Sequence, residues 1–329
     1  MSGDRVPAGE RAASGAGQDP PSWYDYVPLP DRQPLRFPNG ARIAVILTLN
    51  LETWERSRPG QKEPLFTGGP MTIPHALPGD VWDTTNWTWR EYGQRVGVWR
   101  VIDLFDRLGM APSCTVNGLT LVERRRIVDA VKERGWELVP HNWAQNDVLS
   151  NYAYRPEEER AVIRRTLDAY EEGTGREARA WLSSALRSSV HTPLFLKQFG
   201  VIAHCDYLND DQPYLIHTRE GPIVCVPYSN DINDFAMFSR GGMSTSAGLE
   251  TLKQCFDALY DEGAQSGRIM NFGLHPHVIG HAFRVGALRD FLDYARSRPG
   301  VWFATREDIA RWYLEHHASH IPPSTSHVR

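Results

Sequence analysis

The chain has 329 residues, enough for one large domain or two small ones with a well-buried core. Hydrophobic residues make up 41% of the sequence and charged residues 23%, proportions that are typical of a globular protein. The formal net charge of −4 gives no reason to expect a nucleic acid or an anionic membrane as a partner. No apolar run approaches the roughly 20 residues that a membrane helix needs.

The two ends of the chain differ in composition from the rest. Residues 1–20 are rich in Gly, Ala, Ser and Pro and lack the apolar segment of a secretion signal, which predicts a disordered N-terminal arm. We expect residues 21–318 to form one domain and residues 319–329 a flexible C-terminal tail. The four cysteines include no C-x-x-C pair, which favours buried free thiols and a cytoplasmic location.

Strand and helix patterns alternate along the rest of the chain. Short apolar runs bounded by turn residues predict strands at 42–52, 112–117, 136–140, 178–183, 202–206, 223–228, 268–275 and 301–304. Helical spacing of apolar residues predicts helices at 93–108, 122–134, 156–172, 191–199, 246–262 and 284–296, and from residue 306. Residues 55–87 are rich in Pro and Gly, which predicts a long loop that acts as a lid or a subunit contact.

This alternation predicts parallel strands joined by right-handed helical crossovers. No G-x-G-x-x-G motif follows the first strand, which counts against a dinucleotide-binding sheet. The predicted fold is therefore α/β, a distorted (β/α) barrel with seven or eight mostly parallel strands.

Polar residues gather where the predicted strands end, which is where such barrels place their chemistry. Asn50 and Glu52 end the first strand and, with a period of two, point to the same side. His141 ends the third strand. His275 and His277 end a late strand, and a histidine at a barrel mouth suits proton transfer.

Other polar segments follow the middle strands. Trp181 and Ser183 end the fourth strand, and no G-x-S-x-G motif surrounds a serine there, so a nucleophile elbow is absent. Asp206 and Asp210 belong to a cluster after the fifth strand, and residues 230–234 form a second cluster. Solvated turn residues are the alternative interpretation of both clusters. Neither has the 12-residue spacing of an EF-hand calcium loop.

These residues in this order resemble the polysaccharide deacetylase-like (NodB homology) superfamily, over residues 41–315. The sequence looks closest to the branch that holds the cofactor-independent allantoinases and the cyclic imide hydrolases. The most telling segments are residues 92–99, 205–214, 226–234 and 274–280.

The resemblance bears on metal binding and on catalysis. Metal-using members carry an Asp-rich motif after the first strand and two histidines four residues apart after the third. Here Asn50 and Glu52 stand at the first place, and His141 and Gln145 at the second; Gln is a weak ligand for a transition metal. The resemblance implies no cofactor, with zinc or another divalent metal on Glu52 and His141 as the alternative. The superfamily's Leu-His-Pro histidine is a catalytic acid or base, and His275 matches it.

We therefore expect hydrolysis of a C–N amide bond in a small cyclic amide, imide or ureide. Glu52 would orient or deprotonate a water with help from His141, backbone N–H groups would hold the oxyanion, and His275 would protonate the leaving nitrogen. Tryptophans in residues 82–99 would sandwich a flat ring. The residues predicted to bind substrate are Asn50, Trp89, Gln145, Trp181, Ser183, Asp206, Asp210 and His277.

Two alternatives remain open at this stage. The first is a metal-dependent deacetylase of an N-acetylated sugar or small amide, against which Asn50, Gln145 and the lack of an export signal count. The second is a non-catalytic family member that only binds a ligand, against which His141 and His275 count. The resemblance also implies a homo-oligomer, a dimer or a tetramer.

Overall fold

The computed structural model describes residues 23–55 and 83–321. The strands in these ranges are β1 (Ile43–Leu51), β2 (Ser113–Val116), β3 (Glu137–Pro140), β4 (Ala180–Trp181), β5 (Ala203–His204), β6 (Tyr214–Ile216), β7 (Ile223–Cys225), β8 (Arg268–Leu274) and β9 (Val301–Phe303). The α-helices are α1 (Thr84–Tyr92), α2 (Val98–Leu108), α3 (Gly118–Glu123), α4 (Arg125–Glu133), α5 (Pro156–Thr174), α6 (Thr192–Gln198), α7 (Thr245–Glu262), α8 (Val285–Arg296) and α9 (Arg306–His320). Two segments, Gly93–Gly97 and Phe235–Arg240, are π-helical.

The strands form a distorted barrel from two sheets. One sheet has the order β3-β2-β1-β8, with β9 beside the first residues of β1, and the other has the order β4-β5-β7-β6. Every pairing is parallel except that of β6 with β7. The two sheets meet along two seams. The N–H of Leu182 donates to the carbonyl oxygen of Pro140 across the seam between β3 and β4, and the N–H of Gly273 donates to the carbonyl oxygen of Ile232 across the other seam, beside β8. The predicted α/β barrel of mostly parallel strands is confirmed.

Alternation along each strand separates two apolar layers. The inner layer fills the barrel and includes Ala44 and Ile46 from β1, Val139 from β3 and Ile269 from β8. The outer layer packs the opposite strand faces against the helices. Side chains alternate along a strand with a period of two. The residues at the end of a strand that continue its inner-layer positions therefore face the barrel interior.

The structure differs from the predicted elements in three places that bear on the site or on the ends of the domain. The first helix after the long loop begins at Thr84, nine residues early, and Asp83 caps it by accepting a hydrogen bond from the N–H of Asn86. Strand β6 was not predicted. Helix α9 continues to His320, so residues 319 and 320 are helical and not part of a tail.

Some sequence predictions fall outside the described residues. These are the arm over residues 1–20 and most of the loop over residues 55–87. Among the helices of residues 23–55 and 83–321, none has the length and apolar character to cross a membrane.

Candidate active site

Three titratable side chains meet inside the barrel at the carboxyl ends of its strands. Glu52 continues the inward-facing positions of β1, His141 those of β3, and His275 those of β8. Each of these residues directly follows the last paired residue of its strand and still faces the barrel interior. All three side chains are largely buried, with Glu52 only 6% exposed. Strands that lie far apart in the sequence thus bring a carboxylate and two imidazoles together.

Glu52 lies between the two imidazoles. Its Oε1 is 3.6 Å from Nε2 of His141 and 3.5 Å from Nε2 of His275. The Nδ1 of His141 is 2.6 Å from the carbonyl oxygen of Leu182, which can only accept, so this nitrogen carries a proton. The Nε2 of His141 therefore faces the carboxylate and the interior of the site.

Asp234 orients His275 from the other side. Its Oδ1 is 2.6 Å from Nδ1 of His275, and its Oδ2 accepts hydrogen bonds from the backbone N–H groups of His275 and Ile279. The carboxylate therefore fixes both the ring and the loop that carries it. In the sequence, Asp234 was only one member of the polar cluster over residues 230–234, and its pairing with His275 was not predicted.

The charges in this cluster stabilise one another. Burial alone would raise the pKa of Glu52, but the charge and hydrogen bonds of His275 and His141 outweigh burial and hold it well below its ordinary value. Burial alone would lower the pKa of His275, but the carboxylates of Glu52 and Asp234 raise it to about 10. At neutral pH the resting site therefore holds an ionised Glu52 beside a protonated His275.

The cluster opens into a cavity of about 340 Å³. That volume suits a small molecule. Three residues that the sequence predicted to bind substrate, Asn50, Gln145 and His277, lie in its wall. The Oε1 of Gln145 is buried without a hydrogen-bond partner in the described structure. Asn230 and Asn233, from the second polar cluster of the sequence, also line it. Lining residues that the sequence did not indicate include Trp54, Arg90, Leu182, Tyr228, Phe235 and Arg240.

An aromatic and cationic wall closes one side of the cavity. The guanidinium of Arg90 lies 4.9 Å from the ring centre of Trp54 and 5.7 Å from that of Trp89. Burial lowers the pKa of Arg90 to about 10, and the carboxylates of Glu52 and Asp83 oppose this effect, so the group stays cationic. Trp89 stands perpendicular to the ring of His277 at 4.6 Å.

His277 and Trp54 complete this wall. Burial, reinforced by the charge of His275, lowers the pKa of His277 to about 3, so its ring is neutral. Trp89 packs against His277, and Trp54 is the tryptophan that lines the cavity among those the structure describes. The sequence had placed the ring-sandwiching tryptophans in residues 82–99.

Five residues predicted to bind substrate do not line the cavity: Trp89, which packs against His277, and Trp181, Ser183, Asp206 and Asp210. Trp181 and Ser183 belong to the outward-facing positions of β4, and Leu182 faces the cavity instead. The indole N–H of Trp181 donates to Oγ of Ser183, whose backbone N–H donates to Asp206. These three side chains thus form a buried network behind the barrel wall.

Asp210, the last of these residues, lies near the N-terminal lead-in, which comprises residues 23–42 before β1. It makes a 2.6 Å ion pair with Arg32 beside a separate cavity of about 440 Å³. Its carboxylate is therefore engaged in holding the lead-in segment to the barrel.

The side chains of the site do not fit a resident transition metal. Within residues 23–55 and 83–321, no group of three or more His, Cys, Asp or Glu is arranged to hold one. Glu52 and His141 supply two strong donors, and the next candidate, Gln145, offers only an amide oxygen. The charge of Glu52 is already balanced by His275.

Comparisons with known proteins point to one group of relatives. No family model matches the chain. A Schizosaccharomyces pombe protein that carries the provisional name polysaccharide deacetylase is 28% identical over 307 residues, which cover 85% of this chain and 93% of that protein.

Solved structures point the same way. A probable polysaccharide deacetylase from Pseudomonas aeruginosa PAO1 is 29% identical with a TM-score of 0.75, and the match covers 91% of this chain and 98% of the other. The allantoinase PuuE is 28% identical with a TM-score of 0.75, over 85% of this chain and 93% of the other. These relatives confirm the resemblance that the motifs indicated.

Proposed function

We propose that this chain, which is similar to a probable polysaccharide deacetylase and to an allantoinase, hydrolyses a C–N amide bond in a small cyclic amide, imide or ureide. The observation that carries the proposal is the ionised Glu52 buried between His141 and His275. The similarity to an allantoinase supports a ring substrate, and the cavity of about 340 Å³ is the size of a small-molecule site and not of a polymer groove.

The proposed reaction begins with a water held by Glu52 and by Nε2 of His141. Glu52 accepts a proton from this water as its oxygen attacks the amide carbonyl carbon, and a tetrahedral oxyanion forms. The C–N bond then breaks, and the leaving nitrogen takes the Nε2 proton of His275. Ring opening leaves a carboxylic acid at the attacked carbon, and the leaving nitrogen becomes an amine in a lactam, a primary amide in an imide or part of a urea group in a hydantoin-type ureide. Asp234 keeps the ring of His275 in place throughout.

The ion pair between Glu52 and His275 couples the two proton transfers. In the resting site the negative charge of Glu52 is one reason why the pKa of His275 is raised. Once Glu52 has accepted the proton of water, that charge is gone and His275 becomes a stronger acid. The acid is therefore activated at the moment when the leaving nitrogen needs a proton.

The positive charge of Arg90 lies in the cavity wall, close enough to interact with Glu52. Negative charge develops on the carbonyl oxygen in the tetrahedral intermediate. We propose that Arg90, with backbone N–H groups, stabilises that charge. Trp54 provides a flat apolar surface for the ring.

A ring-opening assay on purified protein tests the proposed function. The panel contains hydantoins, succinimides, dihydropyrimidines and allantoin, with N-acetylglucosamine oligomers as the competing substrate class. We expect opening of at least one ring amide. Glu52→Gln keeps the shape of the side chain but not its basicity, so we expect kcat to fall by roughly 10³-fold or more.

If the protein releases acetate from the sugar oligomers and opens no ring, it is a deacetylase and the proposed function is wrong. A fall in kcat of less than tenfold in Glu52→Gln would show that this carboxylate is not the base that accepts the proton of water. The folding of the variant is checked by circular dichroism, so that lost activity is not mistaken for lost structure.

A further inference from the structure

Among the described residues that line the cavity, the exposed ones include one charged side chain. Three of the residues that line the cavity are exposed: Ala185, Asn230 and Arg240. Arg240 is the charged one of the three. The carboxylate in the lining, Glu52, is buried at the inner end, where His141 and His275 flank it. A substrate whose amide reaches Glu52 therefore meets a guanidinium where it emerges towards solvent.

Arg240 is held at the rim by its own segment. It ends the π-helical segment Phe235–Arg240, which directly follows Asp234. Its guanidinium carbon lies 5.2 Å from the ring centre of Phe235, and that ring in turn lies 6.0 Å from the ring of His275. The segment that orients the catalytic histidine thus also places a cation over the cavity.

Arg240 differs from the exposed arginines that make an ion pair with an acidic neighbour on the same helix turn or loop, which include Arg107, Arg155, Arg164, Arg289, Arg296 and Arg311. Other exposed arginines, such as Arg36 and Arg95, also make no ion pair within the described residues, so it is its place in the cavity wall that distinguishes Arg240. Within residues 23–55 and 83–321, no carboxylate pairs with Arg240 at 4.0 Å or less, and its recorded contact is the Phe235 ring. Its planar array of donors therefore remains available to an incoming acceptor.

We propose that the substrate is a ring amide that carries a carboxylate, and that Arg240 binds this carboxylate while the amide lies at Glu52. This inference rests on the proposed function and further specifies that the substrate is negatively charged. A guanidinium and a carboxylate form two parallel charge-assisted hydrogen bonds, which fix orientation as well as adding affinity. Arg240 is thus a specificity-determining residue, and Asn230, the exposed polar residue that also lines the cavity, carries no charge that would repel a carboxylate.

The test compares an acid with its neutral isostere. The kcat/KM values for hydantoin-5-acetic acid and for its carboxamide, hydantoin-5-acetamide, are measured for wild-type protein, Arg240→Gln and Arg289→Gln. Arg289 is also exposed and lies on α8 outside the cavity wall, so it serves as the control for loss of a surface guanidinium.

We expect wild-type protein to prefer the acid by roughly 10- to 100-fold, the usual size of a charge-assisted contact. Arg240→Gln should reduce this ratio of acid to carboxamide towards one, mainly by raising KM for the acid. The ratio should be unchanged in Arg289→Gln.

Two results overturn the inference. One is an equal kcat/KM of wild-type protein for acid and carboxamide, and the other is an unchanged ratio in Arg240→Gln. In both cases the proposed function stands, because a ring amide is still opened. If wild-type protein opens no ring amide at all, the proposed function itself has failed, and the inference falls with it.

Discussion

Glu52 illustrates how one buried side chain decides the type of chemistry. A buried carboxylate is costly unless its charge is balanced, and here protonated His275 balances it at 3.5 Å. A divalent metal would have to compete with this imidazolium for the same oxygen. It would also have to accept the amide of Gln145 at a position where an imidazole would bind more strongly. The donor set therefore favours acid–base chemistry by side chains.

Metal removal should consequently leave activity unchanged. We expect purified protein to contain well below one metal ion per chain by elemental analysis, and kcat for its best ring amide to change by less than about twofold after chelation. The variant Gln145→His serves as a positive control, because it adds an imidazole near Glu52 and His141 and should increase zinc uptake. Near-stoichiometric metal that leaves the wild-type protein together with its activity would contradict this account.

Much of the site could be predicted at the scale of single residues, because strand ends in a barrel converge and side chains alternate. Glu52 and His275 follow long strands whose pattern is unambiguous. Strand β4 has two residues, and its sequence offers apolar side chains on both faces, so the sequence could not show that Trp181 points outward. The pairing of Asp234 with His275 joins residues 41 positions apart and depends on the seam between the two sheets.

At the scale of elements, the π-helical segment Gly93–Gly97 packs directly against the backbone of the loop that follows β8. A Cβ atom added to Gly97 would lie 2.0 Å from the carbonyl oxygen of Pro276, and one added to Gly93 would lie 2.7 Å from the backbone nitrogen of His277. The neighbouring atoms are backbone and cannot rotate away. This contact explains why two glycines occur in residues 92–99, one of the segments that carried the family resemblance.

Replacing Gly97 by Ala should therefore displace the loop that carries His275. We expect a fall in kcat of at least tenfold, since small shifts of a catalytic group are costly, and a loss of about 1–3 kcal/mol in the free energy of unfolding. Gly286→Ala is the matched control, because its added Cβ meets nothing closer than a side-chain atom at 4.0 Å. Activity and urea denaturation are measured for both, and equal kcat values for Gly97→Ala and wild-type protein would refute the loop contact.

At the scale of the whole molecule, the end opposite the site is closed by the last helix. The side chain of His320, at the end of α9, is buried; its Nδ1 lies 3.0 Å from the hydroxyl of Tyr313 and its Nε2 lies 3.1 Å from Oε1 of Gln212. Its carbonyl oxygen accepts a hydrogen bond from Gln33 in the N-terminal lead-in. One residue therefore joins the last helix, the lead-in and the loop before β6. A neutral imidazole satisfies both side-chain contacts by donating from Nε2 and accepting at Nδ1.

This closure should make global stability depend on pH. Burial, reinforced by the charge of Arg32 against the opposing effect of Asp210, lowers the pKa of His320 to about 4. The unfolded chain takes up this proton near pH 6.5, before the folded protein does, so stability is full above that pH and falls as pH drops towards 4. The free energy of unfolding changes by on the order of 3 kcal/mol over this range.

The variant His320→Gln tests this account. It keeps a donor and an acceptor but cannot titrate, so its free energy of unfolding should fall less over this range. Urea denaturation at successive pH values measures the difference. His316→Gln, exposed on the same helix, should follow wild-type protein, and parallel curves for wild-type and His320→Gln proteins would show that the buried imidazole does not control acid stability.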